Sequence, residues 1–140
     1  MANNLQLGST LRNNMIGQYE STVGTSPTLI FRSVAQPGAC NSVDSGSLLA
    51  ILTLPSDWQT NAAGVTTIAN GPWTGTGAGP GTIAHYRLKD STATASDNTG
   101  TTHEQGTVGT TSCDINVDNV VIASSQAVSV TAWTRTQGGA

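Results

Sequence analysis

The stretch from Cys113 to Thr136, C-D-I-N-V-D-N-V-V-I-A-S-S-Q-A-V-S-V-T-A-W-T-R-T, limits what this chain can fold into more than any other. In its first half Ile115 and Val117 alternate with Asp114, Asn116 and Asp118. In its second half Val128, Val130 and Ala132 alternate with Ser129, Thr131 and Trp133. Strand side chains point to opposite faces with period two, so each half has one apolar and one mainly polar face. That pattern suits antiparallel pairing with one side packed and one side wet. It predicts a β-hairpin near the chain end, turning over Ala123 to Gln126, with Trp133 on the face opposite Val128, Val130 and Ala132.

Other segments extend the pattern. Thr28 to Ser33 reads as a short strand with Leu29 and Phe31 on one face. Ser47 to Leu54 is apolar on both faces and stopped by Pro55, which predicts a central, buried strand. Ile83 to Leu88 and Thr101 to Val108 read as strands, with a small one at Val65 to Ala69. Gln36-Pro37-Gly38 signals a turn, Gly71 to Gly81 a flexible loop, and Asp90 to Gly100 a loop or hairpin tip. Ahead of them, Ser9 is placed to cap a helix over Thr10 to Val23 that Gly24 stops. Leu11, Met15, Tyr19 and Val23 form its apolar stripe, expected to pack on the sheet. Seven or eight short strands with turns between them predict an all-β fold. The expected form is a jelly-roll-like antiparallel sandwich with one short N-terminal helix. Residues 1–8 are expected to be a flexible arm, whose Leu5 and Leu7 alternate as in an added edge strand, and 9–140 a single sandwich domain.

Charged residues are 9% of the chain, well below the ~25% of an average domain. Polarity comes from Thr, Ser and Gly. Arg12, Arg32, Arg87, Lys89 and Arg135 are scattered, so the clustered cations that neutralise phosphates are missing and nucleic acid is not an expected partner. No apolar run approaches the ~20 residues of a membrane helix, and no membrane partner is expected. The start M-A-N-N-L-Q-L-G lacks a basic region and an apolar core, which predicts a protein made and used inside a cell.

Motifs for chemistry fail one by one. The glycines of Gly75 to Gly81 match neither a P-loop nor a dinucleotide fingerprint, because Pro80 and Thr82 stand where each pattern needs other residues. Asp114, Asn116 and Asp118 begin like a calcium loop, but Asn119 replaces its glycine and Ser125 its bidentate glutamate. His85 and His103 would be a metal or acid–base pair only if their strands are neighbours, and no nucleophile elbow accompanies them. Cys40 and Cys113 lie 73 residues apart with no C-x-x-C; a bridge is geometrically possible, and an intracellular setting favours free thiols. No catalytic residue, cofactor or metal is therefore expected. Trp58, Trp73 and Trp133 remain as large contact groups: either interface anchors, with Trp58 and Trp73 partly exposed, or covers for the core.

Several framework segments resemble a known family. They are L-R-N-N-M at Leu11 to Met15, the strand Leu29 to Arg32, A-Q-P-G at Ala35 to Gly38 and D-S-G-S-L-L-A-I-L-T-L-P at Asp44 to Pro55. H-Y-R-L at His85 to Leu88, H-E-Q-G-T-V at His103 to Val108 and D-I-N-V-D-N at Asp114 to Asn119 complete the set. Together they make the chain similar to the small virion proteins of tailed bacteriophages, and among them to the capsid cement, or head decoration, proteins. The resemblance implies a jelly roll on the capsid exterior, assembled in the bacterial host cytoplasm, that clamps neighbouring major capsid proteins and carries no catalytic residues. It makes the major capsid protein the expected partner. Separately, a sandwich with so few charges cannot blunt its open edges, so they are expected to be covered by the capsid or by a second copy, with a homodimer favoured over a trimer. Leu5, Leu7, Trp58, Trp73 and Trp133 are the candidate interface residues. The alternatives are a head-fibre or tail component, and, in another class, a carbohydrate-binding module using exposed Trp.

Overall fold

The segments that alternate with period two become strands. The computed structural model describes residues 4–93 and 100–138; the first three residues of the arm and the tip of the expected 90–100 loop lie outside them. Among the described residues there is one helix, α1 (Ser9–Val23). Eleven strands follow: β1 (Thr28–Arg32), β2 (Leu48–Thr53), β3 (Gln59–Ala62), β4 (Val65–Ile68), β5 (Trp73–Gly77), β6 (Gly81–Thr82), β7 (His85–Lys89), β8 (Thr102–Gly109), β9 (Ile115–Val117), β10 (Val121–Ile122) and β11 (Ala127–Thr136). The all-β character, the single helix and the expected strands at β1, β2, β4, β7 and β8 are all present.

The sheet closes on itself. Its order runs β11-β5-β2-β1-β7-β8-β9, and β9 pairs again with β11. Val130 of β11 sits opposite Trp73 on one side and opposite Val117 on the other. The expected sandwich is thus corrected to a closed barrel of seven strands, antiparallel except for a short parallel contact between β8 and β9. Beyond it, β3 and β4 form a hairpin attached to the C-terminal half of β11. Three bulges serve the closure. Leu49 on β2, His103 on β8 and Thr131 on β11 are extra residues in their ladders. Each bends its strand and increases its twist, which curls a sheet towards closure.

The barrel interior is the core. Leu29 and Phe31 share one face as expected, opposite Leu52 and Ala50 of β2 and Leu88 and Tyr86 of β7, and all are buried. Four expectations change. β9 and β11 do pair and the turn over Ala123 to Gln126 is present, but β10 leaves the hairpin to pair with β6. The glycine-rich 71–81 segment is mostly strand, not flexible loop. A Cβ at Gly75 would stand 2.6 Å from the Ile51 carbonyl oxygen, so glycine is what lets β5 lie this close to β2. In α1, Gly8 and not Ser9 occupies the N-cap, with no side-chain cap, while Gly24 ends the helix as expected. Val23 and Ile16 are buried and Tyr19 packs on the core, but Leu11 and Met15 are exposed. The stripe divides because the helix is held to β3 and β4 by its polar groups. Asn13 accepts from the Gly64 N–H at 2.6 Å, and the Ile16 carbonyl accepts from Gln59 at 3.3 Å.

Candidate functional site

The three tryptophans come together inside the molecule. Trp58, Trp73 and Trp133 are 0%, 3% and 2% exposed, so the expected partial exposure of Trp58 and Trp73 is corrected. Their ring centroids lie 5.4–6.0 Å apart, and the Tyr19 ring of α1 packs edge-on against Trp58 and Trp133. Trp133 is there because of one residue. The Thr131 bulge reverses the alternation of β11, so Trp133 falls on the same side as Val128 and Val130 rather than opposite them. Trp58 donates from Nε1 to the Gly24 carbonyl at 3.0 Å and from its backbone to Glu20 at 3.0 Å, tying the helix end to the core. Of the other candidate interface residues, Leu5 is exposed and Leu7 half-buried, in irregular chain and not in an edge strand.

A polar network adjoins the aromatic cluster. Arg135, brought inward by the same bulge, forks onto Glu104, with Nε to Oε2 at 2.9 Å and Nη2 to Oε1. Tyr86 donates its hydroxyl to Glu104 Oε1 and accepts from Arg135, and Trp133 Nε1 donates to the same carboxylate at 3.3 Å. Burial pushes the Tyr86 hydroxyl up to about 12, against the pull of Arg135. Burial also works against the charge of Arg135, but Glu104 outweighs it and holds the guanidinium above its ordinary value.

A second cluster lies on the outside of the barrel, beneath the segment 33–47. On the outward faces of β1 and β7, Arg32 pairs with His85, Ile30 with Arg87 and Thr28 with Lys89. All six are buried, and the 33–47 segment lies against Arg32, His85, Arg87 and Lys89. Asp44 comes down from that segment onto Arg32 at 3.3 Å, Lys89 at 2.8 Å and Arg87. The remaining donors take backbone carbonyls. Arg87 donates to Ala39, Cys40 and Ser42, Arg32 to Gly46, and Gln105 of β8 to Pro37. His85 donates from Nδ1 to the Val34 carbonyl at 2.9 Å, which places its proton there and leaves Nε2 buried without a hydrogen-bond partner. Burial holds this imidazole below its usual range, and Arg87 and Arg32 push in the same direction. The sequence hinted at the row, since His85, Arg87 and Lys89 alternate on one strand face, but nothing near them in sequence identified Asp44 as their partner.

The remaining motif residues have structural employment. Asp114 Oδ2 accepts the Thr107 N–H and hydroxyl, both at 2.8 Å, Asn116 accepts the Cys113 N–H, and Asp118 accepts the Ser129 N–H at 2.9 Å. The calcium-like spacing therefore staples β9 to β8 and β11. The N–H of Thr107 is the first cause holding the Asp114 carboxyl below its usual range. His85 and His103 are on neighbouring strands but not together. His85 pairs with Thr107, four residues along β8 from His103, or roughly 13 Å. His103 instead lines a groove of about 300 Å³ against Met15, Gln18, Tyr19, Thr22 and Val23 of α1. Cys40 and Cys113 carry free thiols. No three His, Cys, Asp or Glu among the described residues are grouped to hold a metal, and no helix there is long and apolar enough to cross a membrane.

The outside of the molecule is poor in cations as a consequence. Four of the five Lys and Arg residues are held in the two clusters. Exposed aliphatic side chains dot the remainder: Leu5, Leu11 and Met15 at the arm and helix, Val34 and Val43 on the 33–47 segment, and Val121 on β10. Such a surface is chemically suited to contact and offers no positive patch. No protein-family model, curated protein or solved structure matches the chain.

Proposed function

We propose that this chain is a virion structural protein that binds the outside of a phage capsid and clamps neighbouring major capsid proteins. The observation carrying the reading is the charge placement. Nearly all cations are locked inside, and a hydroxyl-rich exterior with separate aliphatic contacts is left. Rigid, non-catalytic and low in charge, such a body suits contacts that are weak singly and strong when a lattice repeats them. The framework segments that resemble capsid cement proteins support the same role, and the jelly-roll connectivity of that family is part of the proposal. On this reading the chain has no enzymatic activity, cofactor or metal, works on the capsid exterior and is assembled in the host cytoplasm. A homodimer ahead of a trimer belongs to it too, although barrel closure removes the unpaired sandwich edges that would have required a second copy.

A head-fibre or tail component is the nearest alternative. The carbohydrate-binding reading needs exposed Trp for stacking, and all three are interior. Sedimentation separates the classes. Purified protein mixed with capsids of the major capsid protein should travel with them saturably, whereas retention on a glycan column with no capsid binding overturns the proposal.

A further inference from the structure

The 33–47 segment is longer than most connections and has no secondary structure of its own, and loops of that kind inside a domain are usually functional. Its ends are closed. The Ser33 N–H donates to the Ser47 carbonyl at 3.1 Å, the Ser47 N–H to the Ser33 hydroxyl at 2.8 Å, and the Ser45 hydroxyl to the Ala35 carbonyl at 3.2 Å. Gly46, at φ 74°, makes the approach possible, since a Cβ there would collide with the Ser33 carbonyl. A compact surface loop with its ends together is an Ω-loop.

Its anchoring exceeds what covering the barrel requires. Six of its backbone carbonyls are held by side chains of β1, β7 and β8: those of Val34, Pro37, Ala39, Cys40, Ser42 and Gly46. Its one charged residue, Asp44, is turned inward and fully covered. Buried ion clusters are seldom the cheapest way to stabilise a fold, because removing charges from water is costly. What this one supplies is a fixed shape for an irregular loop. The outer side of that loop has no charged group and presents Val34 and Val43, 56% and 71% exposed. A loop already ordered loses little conformational freedom on binding, so its contacts are kept as affinity.

We infer that the 33–47 loop is a preorganised docking surface for the outer face of the major capsid protein, engaging an uncharged patch through Val34 and Val43. The inference rests on the capsid reading above and adds the surface that does the binding. A charged partner does not fit, since the loop offers no opposite charge to meet it. Binding should then change little between about 0.05 and 0.5 M salt, because screening acts on exposed charge pairs.

The test uses the full chain and capsids lacking it, with cosedimentation as the readout and thermal midpoints as the folding control. Wild type should bind, Val34→Asp and Val43→Asp should each bind about tenfold or more weakly at unchanged midpoint, and Ala62→Asp, exposed on β3 with four strands between it and β1 in the sheet order, should bind as wild type. If wild type binds and the two loop variants bind equally well, the loop is not the surface, and the capsid reading stands. An equal loss in Ala62→Asp, or a steep fall of wild-type binding with salt, also overturns it. If wild type itself stays in the supernatant, the capsid reading falls and takes the loop's partner with it. If the loop variants alter the oligomeric state of the free protein and leave capsid binding intact, the loop is a contact between copies and the assignment is wrong.

Discussion

At the scale of single residues, Asp44 and His85 show how a small protein keeps charge inside. Asp44→Asn removes the carboxylate that Arg32, Arg87 and Lys89 share beneath the loop. Breaking a buried pair from one side is far more damaging than never having built it, so the expected loss is about 3–5 kcal/mol. Urea unfolding at neutral pH, with an unchanged slope, measures it, and a loss below about 1 kcal/mol would show that water replaces the carboxylate readily. Among the shifted groups, His85 and Tyr86 act at opposite ends of the pH range. The folded pKa of His85 is lowered, so the unfolded chain takes up its proton first, and stability should fall as pH drops below about 6.5. Tyr86 is raised to about 12, so the unfolded chain ionises first, and stability should fall as pH rises from about 10 towards 12. Unfolding midpoints across pH should flatten at the acid end in His85→Asn and at the alkaline end in Tyr86→Phe. If neither variant changes the profile, these groups do not set it.

At the scale of elements, the Thr131 bulge decides what β11 buries. With it, Trp133 and Arg135 join the interior beside Val128 and Val130. Deleting Thr131 would turn both outward and pull Trp133 from the aromatic cluster, where removing such a ring alone costs about 3–5 kcal/mol. The deletion is expected to give no cooperative thermal transition, whereas Thr131→Ser should melt within a few degrees of wild type. A folded deletion variant with wild-type tryptophan fluorescence would mean the strand re-registers at little cost. The helix is a milder case. Residues 1–7 precede the Gly8 cap and the described part of them is irregular, so removing them should shift stability by less than about 1 kcal/mol. If the arm aids assembly, the same truncation weakens capsid binding.

At the scale of the whole molecule, closure matters more than any one contact. A ring of seven strands leaves no open edge in the barrel, and among the described strands of this sheet the outer side of β3 is the edge left without a partner strand. If it clamps a capsid lattice, it binds only the assembled state and stabilises it by mass action. Heads stripped of the protein should break at lower temperature than complete heads, and adding it back should restore the difference saturably. Equal rupture points would reduce it to surface decoration.

What the sequence determined by itself is the local part. Alternation in Thr28 to Arg32 and Ala127 to Val130, and the apolar run of Leu48 to Thr53, depend only on neighbours in the chain, and those strands stand where the pattern puts them. Gly24 and Pro55 are local stops, and both segments end there. Whether the sheet stays open or closes depends instead on pairing between strands far apart in the chain, such as β11 with β5, and no periodicity reports that. The placement of Trp133 was misread because a bulge is one extra residue opposite a partner, which exists only once the partner strand is in place. The same holds for the cluster under the 33–47 loop. His85, Arg87 and Lys89 look like an ordinary solvated face until a loop some 40 residues earlier folds over them and brings Asp44 down between them. Burial of charge is a property of the assembled fold, and only tertiary structure could reveal it.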